Sequence, residues 1–229
     1  MSRTPRSALR PALAAAMRLA SGVVLLLSAL LVTAGTVAYW QAWAYIAVLF
    51  GPMTVLLIFL IRNDPELLER RVRTGEREPG QRVFVALASV CFALAFVIPG
   101  FDRRFGWSHV PVAAVIAADV MVLLGYGLFA AVLRENRYAS RIVEVQPGQS
   151  VITTGPYAIV RHPMYLAVLT MIAFTPIALG SWWAMIPALP LPVVLAARIR
   201  GEERLLSRQL EGYSEYMQRT RYRLVPWVW

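Results

Sequence analysis

A chain of 229 residues that is 58% hydrophobic, with a mean hydropathy of +0.56, is too apolar for an ordinary soluble domain, so most of it faces lipid. Its net charge is +10 and all 23 basic residues are arginine, clustered between apolar runs without any nucleic-acid motif, which sets nucleic acid aside in favour of membrane topology. The single cysteine, Cys91, excludes an intrachain disulfide or thiolate metal site, and two widely separated histidines are too few for a metal centre.

The first apolar run, Leu19 to Ala38, follows four arginines. It is longer than the roughly 7–15 residues of a signal core, and no small-residue cleavage site precedes a polar domain, so a retained anchor is expected. A membrane-crossing helix needs roughly 20 apolar residues. Ala42 to Ile61 supplies a second, joined to the first through Tyr39, Trp40, Gln41 and Trp43, an aromatic connection of the interfacial-belt type. Arg62 to Arg82 places Glu66 four residues before Arg70 and Glu69 four before Arg73, after Pro65, a pattern of a solvated surface helix rather than of a substrate gate.

A third span is expected over Val83 to Pro99 and a fourth over Val110 to Leu133, separated by a short loop with Asp102, Arg103 and Arg104. Asp119 lies within the fourth. It either faces the bundle interior, as ionisable groups at depth do, or sits close enough to the boundary to be hydrated. Gly125, Gly127 and Ala130 fit the dinucleotide pattern G-x-G-x-x-A but follow no strand, so they read as a small-residue packing face.

Arg134 to Arg137 leaves the membrane, and an irregular segment, Ile142 to Ile152, turns at Pro147 and Gly148 towards Thr154, Gly155 and Pro156. Two last apolar runs, Tyr165 to Leu179 and Trp182 to Ile199, are joined only by Gly180 and Ser181. Each is short for a crossing at roughly 1.5 Å per residue, and the second contains Pro187, Pro190 and Pro192. The expectation is an all-α polytopic membrane helix bundle of about six hydrophobic segments, ending in a kinked helical hairpin. A four-span region, residues 1–133, precedes a core of residues 134–229.

Six segments would put Met1–Arg18, Arg62–Arg82, Arg134–Arg161 and Arg198–Trp229 on one side, with 21 of the 23 arginines, leaving only Arg103 and Arg104 opposite. That asymmetry predicts a multi-pass protein with both termini cytoplasmic, a bacterial inner membrane being the expected setting. It also brings Arg161–Tyr165 and Arg198–Glu203 together at the cytoplasmic face. The first stretch offers a fixed cation in Arg161, a donor and acceptor in His162, and aromatic faces from Tyr157 and Tyr165; the second offers Arg198, Arg200, Glu202, Glu203 and Arg204. Together they suit a zwitterionic ligand with a flat ring, or a sulfonium cation over an aromatic face. A plainer reading makes Arg161 and Arg198 interfacial anchors, has His162 satisfy a backbone carbonyl, and lets Glu202 and Glu203 begin a surface helix. The residues alone leave both open and name no reaction.

Gly155, Pro156, Tyr157, then Val160, Arg161, His162, Pro163, Met164, Tyr165, followed by Glu202, Glu203 and a tail with Tyr213, Glu215 and Tyr216, resemble the isoprenylcysteine carboxyl methyltransferase family, which is related to the phospholipid N-methyltransferases. The resemblance runs from about Ile142 to the end; one departure is Ala167, where many members have glycine. It implies an integral-membrane enzyme that uses S-adenosyl-L-methionine, with cofactor contacts from Gln149, Ser150, Val151, Ile152, Tyr157, His162, Pro163, Met164 and Tyr165, and a further one from Glu144 or Gln146. Arg198 and Glu202 match the positions facing the acceptor and carry the catalytic assignment.

The implied acceptor is lipophilic: a small molecule, a lipid or a lipidated chain. An arginine at the acceptor position favours a carboxylate, which needs no base; an amine would need Glu202 or Glu203 to take its proton. The tail, Leu205 to Trp229, reads first as an interfacial helix with an aromatic anchor and second as a cover over the cofactor, helped by Tyr213 or Tyr216. A non-enzymatic transport or assembly protein is the remaining alternative, with Asp119 and the proline-rich last span lining a path.

Overall fold

The computed structural model describes residues 5–66, 68, 79–136, 138–139 and 145–229, and all regular structure among them is helical. Four long helices come first: α1 (Pro5–Ala34), α2 (Trp40–Asn63), α3 (Pro79–Phe105) and α4 (Val112–Glu135). A single 3₁₀ turn over Gly155–Ala158 precedes α5 (Pro163–Ala178), a short α6 (Met185–Ala188), α7 (Leu191–Gln209) and α8 (Tyr213–Arg219). Most of the Arg62–Arg82 stretch read as a surface helix, and residues 142–144 of the irregular segment, lie outside the described residues.

Three helical stretches among the described residues are long and apolar enough to cross a membrane, Ala12–Ala34, Trp40–Asn63 and Val112–Glu135. The sequence placed the first span four residues too far along. It ends at Ala34 because Gly35 turns left-handed at φ +66° and its N–H caps Leu31 O at 2.9 Å, a conformation that favours glycine. The third helix runs past its expected end at Pro99 to Phe105, and carries Asp102 into the bundle with it.

The last hairpin departs most from expectation. Its first arm, α5, is 16 residues long, but the second is not one kinked helix from Trp182 to Ile199. Pro190 and Pro192 stand at the start of α7, where a missing N–H costs nothing, so the chain breaks before Leu191 instead of bending through it. The apolar part of α7, Leu191 to Ala197, is about 10 Å of helix at roughly 1.5 Å per residue. That is well short of a hydrocarbon core of about 30 Å. The rest of α7 carries Arg198 to Arg208 out of the apolar zone in an unbroken helix.

The bundle has two distinct ends. At one, Asp102 is 1% exposed; its carboxylate accepts from the Ser108 N–H, the Ser108 hydroxyl and the Ser181 hydroxyl, while Tyr39 donates to Leu179 O, so the Gly180–Ser181 turn is tied to α2 and α3. At the other, Leu60, Leu133 and Ala139 form a buried cluster with Ala12 and Met164 against it. The larger core, around Leu30, Tyr45, Phe96, Ala118 and Val122, fills the half nearer the first end. Asp119 joins that interior: it is 8% exposed and its Oδ1 has no partner among the described residues, so the interior reading holds over hydration at the boundary.

Helices α4 and α5 share the most extensive packing. Gly125 makes it possible, since a Cβ there would lie 2.7 Å from Met171 Cγ and 3.1 Å from Ala167 O, while Gly127 faces open space. Half of the G-x-G-x-x-A pattern is therefore a packing face, and the close approach lost at Ala167 is supplied by the glycine opposite. A tighter approach joins α3 to α1 at Gly100, where a Cβ would lie 2.8 Å from Leu30 O, a backbone atom that cannot swing aside. Gly100→Ala is expected to lower the detergent-solubilised protein's unfolding temperature, by about 1–3 kcal/mol of overpacking, whereas Gly127→Ala leaves it unchanged or raised. Equal thermal unfolding of the two variants would contradict this.

Candidate active site

His162 and Pro163 begin the site because of where they stand in the chain. Pro163 is the first residue of α5, where its fixed φ favours helix initiation, and His162 is the N-cap. The 3₁₀ turn before them is entered through Gly155 at φ +56°, packed against the Glu135 side chain; Thr154 donates to that carboxylate, pinning the turn to the end of α4. Asn136 donates to Tyr157 Oη at 2.7 Å from the same place.

Arg198 and Glu202 are one turn apart on α7, so their side chains share a face, and Tyr165 reaches that face from the first turn of α5. Arg198 Nε donates to Tyr165 Oη at 3.1 Å, and Tyr165 donates to Glu202 Oε2 at 2.7 Å. The result is a cation, a phenol and a carboxylate linked in one row, all partly accessible. The two stretches expected to meet do meet.

Glu203 behaves differently from its neighbour. It is 6% exposed and accepts from Arg161 Nε at 2.7 Å, from Arg223 Nε at 2.7 Å and from His162 Nε2 at 3.2 Å. Burial alone would raise its pKa, but hydrogen bonds from His162, Arg161 and Arg223 outweigh that and hold it down at about 2. A carboxylate so satisfied is no proton acceptor. Of the acidic pair, Glu202 is the one left for acceptor chemistry.

His162 also departs from the plainer reading, because its ring meets the Glu203 carboxylate rather than a backbone carbonyl. Its ring centroid lies 5.8 Å from that of Tyr165. Arg161 is not an interfacial anchor either: it is buried, and its guanidinium bridges Glu203 to the carbonyls of Thr220 and Arg221.

Those carbonyls belong to the tail, which is fastened to the site along its length. Arg161 N donates to Tyr222 O and His162 N to Arg223 O, both at 2.9 Å, while Tyr216 Oη donates to Tyr157 O at 2.8 Å. The tail thus lies across the segment 155–162. At its end, Trp227 is 87% exposed and at φ +63°, with Arg200 and Arg223 over the Trp229 ring. The tail is thus fastened along the segment 155–162, with the exposed Trp227 near its end. Thr220 and Arg223 went unnoticed in the sequence because backbone pairing leaves no residue signature; the nearest signal is the run of tail arginines.

The remaining expected positions lie on the segments before and after the 3₁₀ turn. Val151 packs with Val145, Leu206 and Met217 against a buried cluster of Leu210, Tyr213 and Tyr216. Gln149 Oε1 accepts from the Gln146 N–H at 2.9 Å, closing the Pro147–Gly148 turn; Ile152 is half-buried and Ser150 exposed. Met164 packs towards Leu60 and Leu133. Glu144 lies outside the described residues. No group of three metal-ligating side chains occurs among the described residues.

A family model for isoprenylcysteine carboxyl methyltransferase matches residues 115–208, the stretch from α4 through the 3₁₀ turn and α5 almost to the end of α7. Over this stretch, less than half of the chain, the protein is similar to the isoprenylcysteine carboxyl methyltransferase family. No curated protein matches it. The likeness points to a membrane methyltransferase, and S-adenosylmethionine is the general methyl donor of the family it resembles. The match includes Arg161, His162, Tyr165, Arg198, Glu202 and Glu203, the whole side-chain network apart from Arg223.

Proposed function

We propose that this protein transfers the methyl group of S-adenosylmethionine to the carboxylate of a lipophilic acceptor. The observation that carries the reading is the row Arg198–Tyr165–Glu202, built from two distant segments and enclosed in the family match. When bound, S-adenosylmethionine supplies an electrophilic methyl group on a sulfonium.

The residues present fit such a group. An aromatic and aliphatic cluster, with Tyr213, Tyr216, Val145 and Val151, offers a surface for a flat ring, and it contains one buried hydroxyl, Tyr213 Oη, with no partner among the described residues. Tyr157, His162 and Tyr165 add aromatic and polar groups on the adjoining segment, and the Glu202 carboxylate suits a nearby cation. Gln149, Ser150, Val151, Ile152, Pro163 and Met164 would complete the holding set.

Tyr165 spends its proton on Glu202 and takes the Arg198 N–H, which fixes the guanidinium plane beside the acidic pair. Arg198 so placed can orient a carboxylate through paired N–H donors. A carboxylate acceptor is already a nucleophile at neutral pH, so no proton has to leave and orientation supplies most of the rate. The short apolar stretch of α7 leading to Arg198 gives a lipophilic acceptor a route from the bilayer to that cation.

The site is proposed to face the cytoplasm, with both termini on that side of a bacterial inner membrane. Support comes from charge: the six-segment reading of the sequence assigns 21 of 23 arginines to one side of the membrane. Methyl-labelled S-adenosylmethionine incubated with the purified protein and membrane extract should yield label in a lipophilic product that mild base releases as methanol. A base-stable product would instead mark an N-methyltransferase using Glu202 as base, and no transfer with no saturable binding of S-adenosylhomocysteine would sink both.

A further inference from the structure

Tyr213 is 4% exposed, and its hydroxyl is buried without a hydrogen-bond partner among the described residues. A phenol in that state is unfavourable relative to one that is satisfied, and phenylalanine would fill the same space without the penalty. Something must offset it. The ring does not explain the hydroxyl: it packs on Tyr216 at 5.7 Å between centroids, within a cluster that includes Val145, Val151 and Leu206. Its neighbour Tyr216 shows the contrast, since that hydroxyl is spent on Tyr157 O.

The surroundings narrow the missing partner. Gly212, at φ +81°, sets the entry to α8 next to the Val151 side chain, so Tyr213 stands against the segment 149–152 proposed to hold the cofactor. The cluster its ring packs in is apolar and aromatic, which suits a flat heteroaromatic ring. Burial first, then the negative charges of Glu203 and Glu202, push the Tyr213 phenol above its ordinary range, so it stays a neutral hydroxyl able to donate or accept.

We infer that Tyr213, on the tail helix, is a cofactor-binding residue whose hydroxyl bonds the adenine end of S-adenosylmethionine. The inference rests on the methyltransferase reading. It also makes the tail part of the binding site: cofactor contact by α8 would add to the hydrogen bonds that fasten the tail to Arg161, His162 and Tyr157.

The test is Tyr213→Phe in the full chain, titrated with S-adenosylhomocysteine and separately with 5′-methylthioadenosine, which keeps the adenine end and lacks the amino-acid end. Affinity for both should fall by the same factor, about threefold to tenfold. Ligand-free unfolding temperature should stay level or rise, which a merely structural hydroxyl that had been stabilising the fold would not allow. Unchanged affinity for both compounds overturns the inference, and loss confined to S-adenosylhomocysteine overturns the assignment to the adenine end. Wild-type protein that binds neither compound would defeat the methyltransferase reading itself, a different outcome from wild-type binding that Tyr213→Phe leaves untouched. Should the phenylalanine variant fail to fold, 3,5-difluorotyrosine at position 213 keeps the hydroxyl and changes its acidity; affinity for S-adenosylhomocysteine should then shift in either direction, and no shift overturns the inference.

Discussion

Arg198→Ala is expected to reduce methyl transfer to a carboxylate acceptor by on the order of a hundredfold or more, while S-adenosylhomocysteine still binds. The loss comes from orientation. Arg198 Nε is anchored on Tyr165 Oη at 3.1 Å, so the guanidinium is held in a fixed plane, and a carboxylate that docks on it is aligned in two directions at once. Alanine removes both the charge and the plane, leaving the acceptor to find the methyl group by chance encounter.

Arg198→Lys is the sharper version of the experiment. Lysine restores a cation on a flexible stem without the rigid fork, so activity should recover only in part. Radiolabel transfer on the three proteins, with cofactor titration in parallel, separates positioning from cofactor loss. The competing amine reading predicts the reverse order of damage: Glu202→Gln would then be the crippling change, since an amine must lose a proton and Glu203, held at about pKa 2, is not available to take it. Retention of most activity in Arg198→Ala would remove the carboxylate reading.

What could be read from the chain beforehand was set by local pattern. The apolar runs gave α2 and α4 to within two residues at each end, because twenty lipid-facing residues leave a continuous signal. The juxtaposition of Tyr165 with Arg198 and Glu202 was legible too, since a short hairpin can only return its arms to one end. Three features were not. The break before α7 depended on whether Pro190 and Pro192 bend a helix or begin one, and composition is silent on that choice. Asp102 looked like a loop charge; only the fold shows that Ser108 and Ser181 come to satisfy it, residues 6 and 79 positions away. The division of labour between Glu202 and Glu203 is hidden because adjacent helix positions point about 100° apart, and the three donors to Glu203 come from two other segments.

That division leads to the other large effect. Glu203→Ala is expected to destabilise the protein by roughly 3–5 kcal/mol, the scale for stripping one partner from a buried ion pair, because Arg161 stays buried with its charge uncompensated. Glu203→Gln keeps the shape and some of the hydrogen bonds, so it should fall between wild type and alanine. The same carboxylate sets the direction of acid sensitivity. Its pKa is held down from an ordinary 4.5 to about 2 in the folded protein, so its contribution is fully present above about pH 4.5 and is lost as the pH falls from there towards 2. The amount at stake is on the order of 3 kcal/mol, about 1.4 kcal/mol for each unit by which the carboxyl is depressed. Unfolding midpoints of the detergent-solubilised protein between pH 6 and pH 3 should therefore drop more steeply for wild type than for Glu203→Gln, whose side chain has no proton to gain. Parallel pH profiles for the two would show that Glu203 is not the carboxylate holding the tail to Arg161 and His162.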